Sequence, residues 1–224
     1  MANKGKYYES QFEEATIELL REAHWQYTLG DDIHRKYTDP LIEEDLRNFL
    51  AVQYKDKNLT TSEMDGIVAN LRNTGGQNDY YALRNAFLLY RDGYDFAYSD
   101  SRDNPFRMEY IDFEHPDHNI FRCVNQFVMG QGRENRRPDI LLFINGIPVC
   151  IIELKNPTKQ NATIRDAHTQ ICTRYMRDIP ALLKYCALAV ISDGAKNALG
   201  TTYTPFEFFY EWKKIENEDK AGKG

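Results

Sequence analysis

Residues 137–155 read Arg137-Pro138-Asp139-Ile140-Leu141-Leu142-Phe143-Ile144-Asn145-Gly146-Ile147-Pro148-Val149-Cys150-Ile151-Ile152-Glu153-Leu154-Lys155. Two apolar runs of strand length flank Asn145-Gly146, a dipeptide that closes a tight hairpin because both positions tolerate positive φ. Charged side chains stand at the open end of that hairpin. A charge beside buried strands is costly unless it is paired or bound to a metal. Glu153 and Lys155 lie two residues apart on one strand and so share a face. An acid on one strand, with acid-x-lysine on its neighbour, is a candidate site for a hard divalent cation held through oxygen. Asp139 and Glu153 would be the ligands, with the backbone carbonyl of Leu154 a third. Such a set supports metal-assisted phosphodiester hydrolysis. Mg²⁺ keeps several waters, one of which can become the nucleophile, and Lys155 can orient it or stabilise charge on the phosphate. The competing reading is a strand that ends in solvated charges.

Register decides between the two. With a two-residue turn, Ile144 opposes Ile147, and counting outward puts Asp139 opposite Ile152. Side chains alternate faces, so Asp139 would then point away from Glu153 and Lys155. One extra residue corrects the count, for instance a three-residue loop with Gly146 in the left-handed region and a bulge. A shared metal therefore requires that bulge, or an equivalent one near Pro138.

The rest of the composition narrows the class. A chain of 224 residues suits one α/β domain, or such a domain with an appended helical lobe. A hydrophobic fraction of 42% with 13% aromatic residues is enough for a core. A net charge of −6 excludes a globally basic nucleic-acid binder, so any DNA contact must be local, metal-mediated or assisted by partner proteins. No apolar segment of signal-peptide type follows Met1-Ala2-Asn3-Lys4-Gly5-Lys6, and no run reaches membrane-spanning length. The expectation is a cytoplasmic protein with no membrane partner. Cys123, Cys150, Cys172 and Cys186 are widely spaced and read as free thiols of a reducing compartment.

Periodicity predicts a helix over 7–25 with a stripe of Phe12, Ala15, Leu19 and Ala23, and Ile17 and Leu20 nearby. Residues 26–38 read as irregular. Asp39-Pro40 opens a second helix, Thr61 or Ser62 caps a third, and a fourth runs from Asp79 to Tyr90. Strands are expected over 108–113 and 120–129. Asn161 or Thr163 caps a helix through Asp178 with the stripe Ile164, Ala167, Ile171 and Tyr175. A further strand covers 186–191, and 206–212 reads as a short packed helix. The order strand, hairpin, helix, strand is an α/β fold with a central mixed β-sheet flanked by helices. Its near-continuous apolar runs imply cover on both faces.

Several stretches together resemble the N-terminal nuclease domain of the type I restriction enzyme R subunit, a PD-(D/E)xK family. They are Val124-Asn125-Gln126-Phe127, Arg137-Pro138-Asp139-Ile140, Asn145-Gly146-Ile147-Pro148, Ile152-Glu153-Leu154-Lys155-Asn156-Pro157, Ile179-Pro180, Ile191-Ser192-Asp193-Gly194, Gly200-Thr201 and Trp212, with Phe12-Glu13 on the first helix. The resemblance implies a restriction-endonuclease-like core over about 106–192, within a nuclease domain spanning 1–212. The block of about 40–92 would be an additional helical lobe, and 213–224 a charged tail or linker toward a missing motor region. It implies Asp139, Glu153 and Lys155 as the catalytic triad and Mg²⁺ as cofactor, with Glu13 the best match for an additional acid. The implied activity is that of a type I site-specific deoxyribonuclease. Its partners would be double-stranded DNA and the modification and specificity subunits of a restriction complex. ATP would be used only in the motor region, since no Gly-x4-Gly-Lys-Ser/Thr occurs here.

The family also carries a Gln-x-x-x-Tyr pair on the helix after the triad. Here Gln170 and Tyr175 are one residue further apart, which on an ideal α-helix separates them by about 140°. The expectation is that Tyr175 joins the core, while Gln170 lies on the polar face with Arg174 and Arg177, placed for DNA. Arg133, Arg136 and Arg137, with Lys155, Lys159 and Arg165 nearby, form a basic concentration that can hold phosphates, a solvated loop being the competing reading; Arg137 is a candidate DNA contact. His115 and His118 share a turn but lack partner ligands in sequence. The aromatics of 206–212 are expected to serve packing. The rival functions are an independent PD-(D/E)xK repair nuclease and a catalytically silent docking module.

Overall fold

A computed structural model describes residues 2–100, 102–130, 135–155 and 163–212. Arg133, Asn156-Pro157, Lys159, Asn161 and the 213–224 tail lie outside the described residues. The strands are β1 (Gln26–Leu29), β2 (Tyr94–Phe96), β3 (Phe106–Met108), β4 (Phe121–Asn125), β5 (Ile140–Ile144), β6 (Ile147–Leu154), β7 (Leu188–Ser192), β8 (Asn197–Gly200) and β9 (Tyr210–Glu211). The helices are α1 (Ala2–Glu22), α2 (Glu43–Gln53), α3 (Thr61–Asn73), α4 (Asp79–Asp92), α5 (Ile164–Thr169), α6 (Met176–Asp178) and α7 (Pro180–Leu183). Seven strands form one sheet in the order β1-β4-β5-β6-β7-β8-β9, and β2 pairs only with β3. The sheet is mixed: β1–β4 and β6–β7 run parallel, and the other neighbours antiparallel. This is the α/β architecture with helices around a central mixed sheet that the apolar runs imply, and it is compatible with a restriction-endonuclease-like fold.

Alternation along β5 and β6 assigns the two faces. Ile140, Cys150, Ile152 and Leu154 pack with Ile17 of α1, and Phe12 and Leu20 lie against them. Leu141, Phe143 and Ile151 point the other way, into a cluster with Ala167, Ile171, Tyr175 and Leu182. A third cluster joins α2, α3 and α4 to Ile147 and Tyr185 at the turn end of the hairpin. Asn145 and Gly146 both have positive φ, as a tight two-residue turn requires. There the Ile42 N–H donates to the Gly146 carbonyl at 2.9 Å, tying the start of α2 to the turn. The buried Asn145 amide donates to the Tyr110 carbonyl at 2.9 Å and to Asn119 Oδ1 at 2.8 Å.

Several expectations are corrected. The inward stripe of α1 is the buried Ile17 with the half-buried Phe12 and Leu20, while Ala15 is exposed and Leu19 is 66% exposed. Residues 26–29 are a strand, too polar for periodicity to reveal, because β1 lies at the sheet edge. The 108–113 strand does not form, and β3 ends at Met108, so the buried Tyr110 and Ile111 fill core from a loop. β4 stops at Asn125 because Gln126 takes φ 56°. The third helix is capped by Thr60, one residue earlier than expected, through a capping box with Glu63. Residues 206–212 form a single 3₁₀ turn and then β9, in which Phe206 and Phe209 pack inward but Phe208, Tyr210 and Trp212 are exposed. The four cysteines are free, and Cys123, Cys150 and Cys186 are buried. Among the described residues no helix is long and apolar enough to cross a membrane.

Candidate active site

The β5–β6 ladder contains the register shift that a shared site requires. Near the turn Ile144 pairs with Ile147 and Phe143 with Pro148, but Leu142 pairs with Cys150, leaving Val149 as the extra residue. Beyond the bulge Ile140 pairs with Ile152. One step further along that register sets Asp139 opposite Glu153. The bulge lies inside β6 at Val149, neither at Gly146 nor near Pro138, and the turn keeps its two residues. Asp139 and Glu153 therefore stand on the face covered by α5–α7.

Glu153 is fully buried. Lys155 Nζ donates to Glu153 Oε1 at 2.7 Å and to Gln170 Oε1 at 2.9 Å. The Gln170 amide donates to the Tyr175 hydroxyl at 2.7 Å, and that hydroxyl lies 3.3 Å from Glu153 Oε2. These four side chains close a ring. Asp139 Oδ2 accepts the Leu154 N–H at 2.7 Å, which fixes the carboxylate against the end of β6. Burial, then the charge of Asp139, push Glu153 up to about 8, against the pull of Lys155. Burial and the Glu153 charge also raise Tyr175, so its hydroxyl stays protonated.

Residues Gln170–Tyr175 form a π turn between α5 and α6, and this overturns the expected divergence of Gln170 and Tyr175. Its i→i+5 bonding absorbs one extra residue and returns the fifth residue to the same side. Tyr175 is 3% exposed and packs in the core as expected, yet its hydroxyl reaches Glu153. Gln170, expected to face DNA, has both ends of its amide engaged within the ring. The sequence signal was the single-residue excess in the Gln-to-Tyr spacing, which an ideal helix reads as a mismatch.

Glu13 lies on α1, over the opposite face of the sheet. Its carboxylate accepts from Asn125 Nδ2 at 2.9 Å and from Gln126 Nε2 at 3.1 Å. Gln126 Oε1 in turn accepts from Arg137 Nη1 at 3.3 Å, and the Arg137 carbonyl lies 3.4 Å from the Tyr175 hydroxyl. Glu13 thus connects to the ring through Gln126 and Arg137, a link that no spacing in the sequence reveals. Arg137 and Arg174 are exposed, whereas Arg136 and Arg177 both pair with Asp178. A cavity of about 710 Å³ lies elsewhere, lined by Thr28, Arg35, Asp45 and Arg122 among others, and includes none of the triad.

Two carboxylates in register, one of them buried, form an all-oxygen donor set whose mutual repulsion a hard divalent cation would relieve. Lys155 stands beside them, its ammonium bonded to Glu153 at 2.7 Å. The profile described as type I restriction enzyme R protein N terminus matches residues 6–208. The chain is 29% identical to the type I restriction enzyme HindI endonuclease subunit of Haemophilus influenzae, over 96% of this chain and 21% of that protein. It is 30% identical to a putative type I restriction enzyme MjaIXP endonuclease subunit of Methanocaldococcus jannaschii, over 92% of this chain and 20% of that protein. A third relative, the EcoprrI endonuclease subunit of Escherichia coli, is 30% identical over 55% of this chain and 40% of its own length. The chain spans about a fifth of the length of the first two. With a match over nearly its whole length, this chain belongs to the type I restriction enzyme R protein N-terminal family.

Proposed function

We propose that this region is the DNA-cutting domain of a type I restriction endonuclease subunit, hydrolysing phosphodiester bonds with Mg²⁺. The observation that carries the reading is the register shift at Val149, which sets Asp139 opposite Glu153 with Lys155 bonded to the latter. Asp139 and Glu153 would hold the ion, with the Leu154 carbonyl a third ligand. When bound, Mg²⁺ supplies charge neutralisation and a more acidic water.

The chain's own residues do the rest. Gln170 and Glu153 hold the Lys155 ammonium from two sides, so it is ordered before substrate arrives and costs little reorganisation when charge develops on the phosphate. Tyr175 fixes the second oxygen of Glu153 and the amide of Gln170. In the reaction one P–O bond forms to the water oxygen, the P–O bond to the leaving sugar oxygen breaks, and that oxygen takes a proton. Arg137 and Arg174 are the proposed phosphate contacts beside the site. With a net charge of −6 the domain would bind DNA weakly by itself. Sequence recognition would then fall to modification and specificity subunits in the cytoplasm, and ATP use to the remainder of the subunit.

The test is cleavage of plasmid DNA by the complete subunit assembled with those partners. Asp139→Ala, Glu153→Gln and Lys155→Ala should each lower cleavage by roughly a hundredfold or more while ATP hydrolysis continues. Cleavage at the wild-type rate in all three variants would refute the assignment.

A further inference from the structure

The segment after β3 brings together three side chains that the catalytic reading does not use. Asp112 is buried, its side chain 5% exposed, although it belongs to a surface loop. Its Oδ1 accepts backbone N–H groups from Glu114 at 3.0 Å and His115 at 2.8 Å. Its Oδ2 accepts from Gln53 Nε2 of α2 at 3.2 Å. The same oxygen faces His118 Nδ1 at 3.0 Å and His115 Nδ1 at 3.6 Å. The two imidazoles stack, with centroids 4.9 Å apart and planes 18° from parallel. All three donor atoms lie within 4.8 Å of one another. Asp112 stands three residues before His115, and the turn at Pro116–His118 brings His118 back to the same carboxylate.

We propose that Asp112, His115 and His118 form a second metal site, for a divalent transition ion of the zinc class. In a tetrahedral site with bonds of about 2.0–2.1 Å, donor atoms stand roughly 3.3 Å apart. The two nitrogen–oxygen distances straddle that value. Simple hydrogen bonding accounts for His118 but not for His115, whose nitrogen lies beyond bonding distance, 3.6 Å from the same oxygen. The carboxylate is already oriented by two backbone N–H groups and Gln53, the supporting bonds that metal-ligating carboxylates carry. Two imidazoles and one carboxylate suit zinc or cobalt rather than Mg²⁺, so this site and the nuclease site would select different ions. Three protein ligands leave the fourth position to water.

The site lies at the turn end of the hairpin. Asn119 accepts the Asp112 N–H at 2.9 Å and also bonds Asn145 at 2.8 Å. Asp139 and Glu153 mark the opposite end of the same two strands, roughly 17 Å away along β5. An ion here would pin the 111–119 segment onto α2 and the hairpin turn, away from the chemistry.

The test is a Co²⁺ titration of the full 224-residue chain after chelator treatment, read by the visible ligand-field absorption and reversed by Zn²⁺. Wild type and Asp139→Ala should each bind one equivalent. His115→Ala and His118→Ala, which alter exposed side chains and leave Asp112 in place, should each weaken binding at least tenfold. No Co²⁺ binding by the wild type would overturn the proposal. So would binding that persists in both histidine variants, or a loss in only one of them, since a two-ligand site is not the one proposed. Loss in Asp139→Ala with retention in the histidine variants would assign the ion to the nuclease site instead.

Discussion

Under the proposed role Glu153 would meet two conflicting demands: it lies in the core at no exposure, and a metal would need it as a carboxylate. Its value of about 8 in the fold against an ordinary 4.5 means that the metal-free folded protein binds this proton more tightly than the unfolded chain does. The stabilisation is therefore complete below about pH 4.5 and is lost as pH rises through about 8. Urea unfolding in chelator should show stability falling across that window by a few kcal/mol. Glu153→Gln should flatten the decline, and saturating Mg²⁺ should restore wild-type stability at the alkaline end. Tyr175→Phe keeps the ring in the core but removes the hydroxyl between Gln170 and Glu153. It should cost about 1–2 kcal/mol in thermal unfolding and lower cleavage by the assembled enzyme about tenfold, with ATP hydrolysis unchanged. At this scale Asp139, Glu153 and Lys155 drew attention in the sequence because charges at the ends of apolar strands demand a reason. The second task of Tyr175 was not legible, since a tyrosine on an apolar stripe looks the same whether or not its hydroxyl has a carboxylate to meet.

Two one-residue irregularities make the site, and they differ in how far the sequence disclosed them. A shared site required an extra residue in the hairpin count, and the ladder supplies it at Val149, next to Pro148, a residue that a central strand accommodates at a bulge. Bulges inside a strand are set by packing on both faces, which a single chain's pattern does not display. The π turn is the helical counterpart. Deleting the exposed Thr173 should convert Gln170–Tyr175 into regular α-helix and keep the pair together at the four-residue spacing. Circular dichroism should show a folded protein, destabilised by no more than about 2 kcal/mol, that still binds Mg²⁺. Unfolding, or loss of Mg²⁺ binding, would show that the wider turn itself is needed. At the hairpin turn, Gly146 has φ +76° and its α-carbon faces the Ile42 carbonyl, which an added Cβ would strike. Gly146→Ala should cost roughly 2 kcal/mol or more in urea unfolding, because it strains the turn and breaks the link to α2.

Across the whole molecule the sheet works as a floor with α1 below, α5–α7 above and α2–α4 against the turn end, so the acids emerge at the free end. Apolar runs disclosed the central strands and the four long helices, but not the helix starts: α2 opens at Glu43 rather than at Asp39-Pro40, and Thr60 caps α3. The edge strands β1 and β9, and β8 beside β9, escaped notice because short, partly exposed strands carry little alternation. Ion pairing adds an acid limb to the stability profile. Hydrogen bonds from Arg177 and Arg136 hold Asp178 at about 2, below its ordinary 3.8, so its contribution exists above the ordinary value and is lost as pH falls through about 2. The metal-free protein should thus lose stability in strong acid through Asp178 and toward pH 8 through Glu153. The central claim, one cation shared by Asp139 and Glu153, is tested most directly by calorimetric titration of Mg²⁺ into the wild-type chain, Asp139→Ala and Glu153→Gln, with folding checked by circular dichroism. One weak site in the wild type, absent from both folded variants, is the predicted result. Binding that survives both substitutions, or none in the wild type at high Mg²⁺, would contradict it.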